Sequence, residues 1–397
     1  MTIGTIILLG CIGWIICLHP SLNKLFINFT ALAIALEVMI SVGAFLNFGS
    51  FDIGFSELVI FLDIVIALLL LTKSRIKRKV MLYGILLLVT ACFSFALQII
   101  YPYKGIVVPD SASWDLYYFG GVIPGNIVMG INQIKEIIHL ICYIFIFQQV
   151  KCLKEDDQLD ILHKTFVYQV PFIYFSLFEI VFVKILRKET LVNSIIKFMV
   201  GNQYLNEAGV TSLGVTNRLK GLKSEPSMYG FALFIFILLC ISLYNELGRK
   251  KYLYYGVFAF VVMLLSLSFT AIVCAFILIA FAVLKYFLNL DKKKKCDFIV
   301  LVIIALIFFG VCIYYIYTHQ FSNYYLKRMH MALINFDDLS MDGWAGNYVD
   351  YDGSTKIRLI SIVGSLKYFF ARPFWGLALG STYAHSTMAT VMASIGI

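Results

Sequence analysis

Residues Arg218-Leu-Lys-Gly221-Leu-Lys-Ser-Glu225-Pro226-Ser-Met-Tyr-Gly230 run directly into an apolar stretch that continues to about residue 245. Three cations and a carboxylate therefore collect at the mouth of a hydrophobic helix, in a chain of which only 14% is charged. Ser224 or Glu225 can cap that helix, and Pro226 suits its first turn because the missing N–H would have no partner there. The unpaired N–H groups of a helix start attract anions. Arg218, Lys220 and Lys223 just upstream suit a phosphate or pyrophosphate at the membrane surface, with Arg218 the better fixed, bidentate contact. The same cations equally suit lipid headgroups.

Working outward, 61% of the 397 residues are hydrophobic and 14% are charged, the profile of an integral membrane protein. A helical span needs roughly 20 apolar residues. The sequence predicts spans at about 2–18, 25–46, 54–72, 80–100, 136–150, 165–186, 226–245, 252–268, 270–290 and 298–317, with an eleventh starting near His385. The first lacks a basic leader and a small-residue cleavage site and is expected to be a retained helix. The 24 Tyr and 35 Phe suit interfacial belts and packed helices. All nine Cys lie in or beside apolar runs, which gives no exported disulfide framework. The net charge of +9 sits largely in short juxtamembrane clusters, which is not a nucleic-acid signature.

Those clusters set an orientation. The connections Lys73-Ser-Arg-Ile-Lys-Arg-Lys79, Lys151 to Lys164, Gly248-Arg-Lys-Lys251 and Asp291-Lys-Lys-Lys-Lys295 are all placed in the cytoplasm by the positive-inside rule, and alternating spans agree at every step. Segments 101–135, 187–225 and 318–384 then fall outside, and function is expected there and in the cavity beneath. The short apolar stretch from Leu191 to Val200 is expected to lie in the interface. The fold class expected is an all-α polytopic membrane protein of about eleven transmembrane helices, with a large external loop between the last ones.

A second set of residues lies in the last external segment. Gly353-Ser-Thr-Lys-Ile-Arg358 precedes an amphipathic run, followed by Arg372-Pro373-Phe-Trp-Gly376-Leu-Ala-Leu-Gly380-Ser-Thr-Tyr-Ala-His385. Glycines near a helix mouth allow close backbone approach to a ligand. A neutral His385 could take a proton from a sugar hydroxyl, and it fits a hydrogen-bonded interfacial imidazole as well.

Arg218-Leu-Lys-Gly221 followed by Glu225-Pro226 and an apolar helix resembles the R-x-x-G…E-P signature of the O-antigen polymerase and ligase superfamily. The later order is similar too: a short-turn helix pair at 252–290, a basic turn, one more helix, then a large external loop carrying Arg358, Pro373, Gly376, Gly380 and His385. The resemblance covers roughly 160–397. It divides the chain into an N-terminal helix bundle, 1–160, and a polymerase-like catalytic region, 161–397, with external loops 187–225 and 318–384. It implies a metal-independent, inverting membrane glycosyltransferase of the GT-C class that needs no cofactor. Its substrate would be oligosaccharide repeat units on undecaprenyl pyrophosphate. Its product would be an O-antigen, capsule or exopolysaccharide, made at the external face of a bacterial cytoplasmic membrane. Arg218 and Arg358 would hold the pyrophosphate, His385 would activate the acceptor hydroxyl, and Glu225 would join them as a catalytic-site residue. Lys220, Lys223, Arg372, Gly376 and Gly380 would contact pyrophosphate or glycan. A chain-length regulator and a flippase would be partners, together with the bilayer itself.

Two departures stand out. The turn Ser266-Leu-Ser268-Phe269-Thr270 lacks the Ser-Arg of many relatives, so a cation's role would fall to Arg372 or Lys367. The chain also ends soon after His385, where relatives continue. Two other functions remain open: a ligase moving finished glycan to an acceptor, and a flippase or transporter, for which Glu37 and Asp63 within the predicted spans would matter most. Glu179 and Lys184 also fall in or near spans, while Glu136 and His139 read as interfacial. Asp350-Tyr-Asp352 and Asp337-Asp338 read as solvated turns more readily than as metal ligands.

Overall fold

A computed structural model describes residues 3–19, 21–40, 44–47, 52–72, 76–107, 123–126, 131–200, 219–223, 226–266 and 268–288, together with 314–315, 318, 365–366, 368–379 and 392–396. The described chain is mainly helical. In order it forms α1 (Ile3–Leu18), α2 (Leu22–Met39), β1 (Ala44–Asn47), β2 (Asp52–Gly54), α3 (Phe55–Leu71), α4 (Arg78–Ile100), β3 (Lys104–Val107), β4 (Ile123–Asn126), α5 (Ile131–Cys152), α6 (Glu155–Glu179, continued by a π-helical turn Ile180–Ile185), α7 (Glu189–Val200), α8 (Pro226–Leu247), α9 (Lys250–Leu265) and α10 (Phe269–Leu288).

Four of these helices are long and apolar enough to cross a membrane: Leu22–Met39, Arg78–Ile100, Glu155–Ile185 and Pro226–Leu247. Ile3–Leu18 and Thr270–Lys285 are apolar but shorter. α4 leaves Leu82, Tyr83, Leu86, Val89 and Phe93 exposed, and α10 leaves Phe276, Ile277, Phe281 and Leu284 exposed. Such apolar surface suits lipid as its solvent. The expected spans at 298–317 and from His385 lie outside the described residues, apart from Tyr314, Tyr315 and residues 392–396.

The structure departs from the sequence expectation at three places. The helix expected over 25–46 ends at Met39, because Ile40 turns extended, and 44–47 pairs antiparallel with 52–54. A second short antiparallel pair joins 104–107 to 123–126, so the described chain is not purely α-helical. The helix expected over 165–186 starts ten residues earlier, at Glu155, because Glu155, Asp156 and Asp157 occupy its first turn, where the helix dipole favours negative charge. The division expected between residues 160 and 161 falls inside this helix.

Contacts divide the chain into two compact units, 1–76 with 145–299, and 77–144 with 300–397. In the first, α2 packs on α3 and α6, and α8 packs on α6, α9 and α10. Phe166 of α6 stacks on Phe236 of α8 at 5.6 Å and meets Tyr252 and Tyr255 of α9 edge-on at 5.0 and 5.3 Å. Aromatic pairs in such offset or edge geometry add about 0.5–1.5 kcal/mol beyond their burial. Between α2 and α3, the Thr30 hydroxyl donates to one oxygen of the Asp63 carboxyl at 2.8 Å. Asp63 is fully buried, and its other oxygen has no hydrogen-bond partner. The short apolar stretch from Leu191 to Val200 falls in the helix α7: Val192 and Ile196 are buried, Phe198 is exposed, and the helix packs on α1.

In the second unit, α4 packs against α5 so closely that a Cβ on Gly84 would meet Ile144 at 2.5 Å. Tyr368, Leu377 and Ala393 form a small core, with Tyr103 against them.

Candidate functional site

The described part of the opening motif is a tight turn, 219–223, closed by the Lys223 N–H donating to the Lys220 carbonyl at 3.0 Å. Gly221 sits at φ +57°, the left-handed region open to glycine at little cost. A Cβ there would also meet the Tyr229 ring at 2.5 Å. Tyr229 lies one turn into α8, is fully buried, and is hydrogen-bonded through its hydroxyl to Ser176 of α6. The glycine of Arg218-Leu-Lys-Gly221 is thus required twice, by its backbone angle and by the ring beneath it.

Glu179 closes over the turn from the other side. One carboxylate oxygen accepts the Gly221 N–H at 2.9 Å and the other accepts the Lys220 N–H at 3.3 Å. The side chain is 1% exposed and ends the α-helical part of α6. Consecutive N–H groups beside a left-handed residue make an anion-binding concavity. Here the protein's own carboxylate fills it. Leu219 and Leu222 are buried beside these bonds, and Leu222 bridges in parallel to Ile40 at the end of α2.

Lys223 completes the clasp. Its ammonium donates to the Glu37 backbone carbonyl at 3.0 Å, and only 8% of the residue is exposed. Burial pulls its pKa down to about 8, partly offset by the Glu37 charge. α8 then begins at Pro226, at the helix start that the sequence predicts. At Gly230 the helix meets α10 so closely that a Cβ would lie 2.8 Å from that of Ala271.

The described part of the second set lies in the other unit. Arg372 forks between two acceptors at the end of α4, donating to Gln98 Oε1 at 2.5 Å and to the Tyr101 carbonyl at 2.6 Å, with its guanidinium over the Tyr103 ring. Gly376 has φ +61° and would drive a Cβ into the Ser394 carbonyl. The next two N–H groups, of Leu377 and Ala378, donate to Ala393 and Ser394 at 2.9 Å each, and Ser94 of α4 bonds to both Ala378 N and the Ser394 carbonyl.

Of the residues that the sequence singles out, Lys220, Lys223, Arg372 and Gly376 are placed as above. Arg218, Glu225, Arg358, Gly380 and His385 lie outside the described residues, as do Lys367 and the pairs Asp337-Asp338 and Asp350/Asp352. Glu179, which the sequence marks only as a charge in or near a span, is the acceptor on which the turn 219–223 rests. The signal that could have found it is its place in the last third of the predicted span 165–186, a charge inside an apolar run on the side from which the span at Pro226 sets out. Among the described residues no three His, Cys, Asp or Glu side chains gather as a metal-holding group. The turn Ser266–Thr270 carries no cation; Ser266 instead closes α9 by bonding its hydroxyl to the Met263 carbonyl at 2.7 Å.

No protein-family model, no curated protein and no solved structure matches this chain.

Proposed function

We propose that this chain is a GT-C-type membrane glycosyltransferase of about eleven spans. It polymerises oligosaccharide repeat units carried on undecaprenyl pyrophosphate, without a metal ion and with inversion at the sugar. The site faces outward from a bacterial cytoplasmic membrane. In this reading Arg218 and Arg358 hold the pyrophosphate and stabilise its departure. His385 accepts the proton of the attacking hydroxyl, and the acceptor oxygen displaces the pyrophosphate from the anomeric carbon in one step. Lys220 adds positive charge beside Arg218, and a chain-length regulator and a flippase act with the enzyme.

The observation that carries this reading is the turn 219–223. Its glycine is demanded by φ and by Tyr229, and it sits at the start of α8 immediately after Arg218. A sequence motif that resembles R-x-x-G is thereby matched by a backbone that needs the glycine where the motif has it. With both amides of the turn taken by Glu179, the phosphate contacts in this reading fall to the side chain of Arg218 with Lys220 beside it.

The test is genetic and chemical. Arg218→Ala and Arg358→Ala should abolish long-chain polysaccharide while the protein still inserts at native levels. Normal chains from both variants would sink the proposal. A deletion strain should accumulate single repeat units on the lipid carrier; finished long chains on that carrier would instead identify a ligase.

A further inference from the structure

We infer that Glu179 is a positioning residue: its buried carboxylate grips the backbone of Lys220 and Gly221 and holds the turn 219–223 in place for a lipid-linked pyrophosphate donor. The inference rests on the polymerase reading for what the turn binds, but the grip itself stands on geometry. Each carboxylate oxygen takes one of two consecutive amides, at 3.3 and 2.9 Å. The residue is almost wholly buried, so these bonds form away from competing water. The partners are 41 and 42 residues away along the chain, so the contact is not local turn chemistry.

The rest of the turn is arranged around this grip. Gly221 rests on Tyr229, whose hydroxyl is bonded to Ser176, three residues before Glu179 on α6. One helix therefore holds both faces of the turn, its amides through Glu179 and its underside through Ser176 and Tyr229. Lys223 ties the far end to α2. A cation placed by such a turn meets a phosphate with little ordering left to do, which favours binding. Removing Glu179 leaves the leucines and Lys223 in place but frees the two amides, and the residues flanking them gain freedom.

The experiment uses the full chain purified in detergent. The donor is the single-unit lipid-linked intermediate extracted from a strain lacking this protein. Glu179→Gln keeps the shape and one acceptor oxygen. Its amides over 219–223 should exchange with deuterium about tenfold faster, with the helices unchanged. Its KM for the donor should rise about tenfold, because the cations carried beside the loosened turn meet the donor pyrophosphate less well ordered. Glu179→Ala should exceed both effects. A purely structural role would lower the yield of folded protein and leave KM unmoved. Unchanged exchange in Glu179→Gln overturns the inference, and so does faster exchange with an unchanged KM. If Glu179→Gln fails to insert, Gly221→Ala displaces the same turn with Glu179 intact and must raise KM likewise; an unchanged KM overturns the inference. Absence of extension by the native chain breaks the polymerase reading instead. The exchange measurement, which uses no substrate, then judges the grip alone.

Discussion

The turn at 219–223 and the turn at 373–379 each depend on a glycine in the left-handed region, Gly221 over an aromatic ring and Gly376 against a carbonyl. They differ in what is done with charge. In the first, a carboxylate binds backbone amides and a lysine is buried on a carbonyl. In the second, an arginine forks onto two neutral acceptors, a glutamine oxygen and a peptide oxygen. The first turn is closed by its own anion. In the second, neither hydrogen-bond partner neutralises the guanidinium, so Arg372 is oriented and keeps its charge. A cation beside a helix mouth can therefore be a structural tie, a ligand contact, or both, and the charge of its partners separates these cases.

The largest expected effects test the shared backbone requirement. Gly221→Ala combines left-handed strain with a clash against Tyr229 and should cost about 3 kcal/mol. It would be read as a lowered midpoint of thermal unfolding in detergent. Adding Tyr229→Leu should recover part of the loss, and strict additivity would mean that the ring is not the obstacle. Gly376→Ala, which meets backbone rather than a side chain, should be at least as costly and should not be relieved by any single side-chain truncation.

Next comes the fork. Arg372→Lys retains the charge but can hardly satisfy Gln98 and the Tyr101 carbonyl together, so it should lose about 1–2 kcal/mol. A lysine variant as stable as the native chain would erase the contrast with the first turn.

Last comes the pH response of Lys223, which is confined to alkaline pH. Its folded pKa, about 8, lies below its ordinary 10.5. Between these values the unfolded chain binds a proton that the folded chain has released, so this residue makes stability rise with pH across that window. Below about 8 the cost of burying the ammonium is present in full. Thermal midpoints measured from pH 7 to 10 should climb more in the native chain than in Lys223→Met. Identical slopes would show that Lys223 is not buried as a charge.

Much of the helical layout was legible because apolar runs are punctuated by residues that stop or start helices. Pro226 opens α8, and Gly248-Arg249 separates α8 from α9. The early start of α6 was hidden by its acidic first turn, which reads as a polar connection although negative charge favours a helix start. The short strands were hidden because three or four residues carry little periodicity. At the site, Gly221 stood out in the sequence because its motif is local. The role of Glu179 did not, because its partners lie some forty residues along the chain and only packing of α6 against α8 brings them together. Arg372 carried the opposite risk: an arginine near glycines reads as a ligand contact, whereas here it also ties its own turn to α4.

The pairing of Thr30 with Asp63 bears on how the chain is made. A helix carrying a carboxylate near its centre enters a bilayer at a cost of about 2.5–3.5 kcal/mol. α2 is synthesised first and offers a hydroxyl at the matching level. If α3 leaves the translocation machinery alongside α2, the carboxyl need never face lipid unpartnered. On the proposed reading, in which α3 also spans the membrane, the two helices would insert as one unit, and moving Asp63 one position along α3 would part it from Thr30.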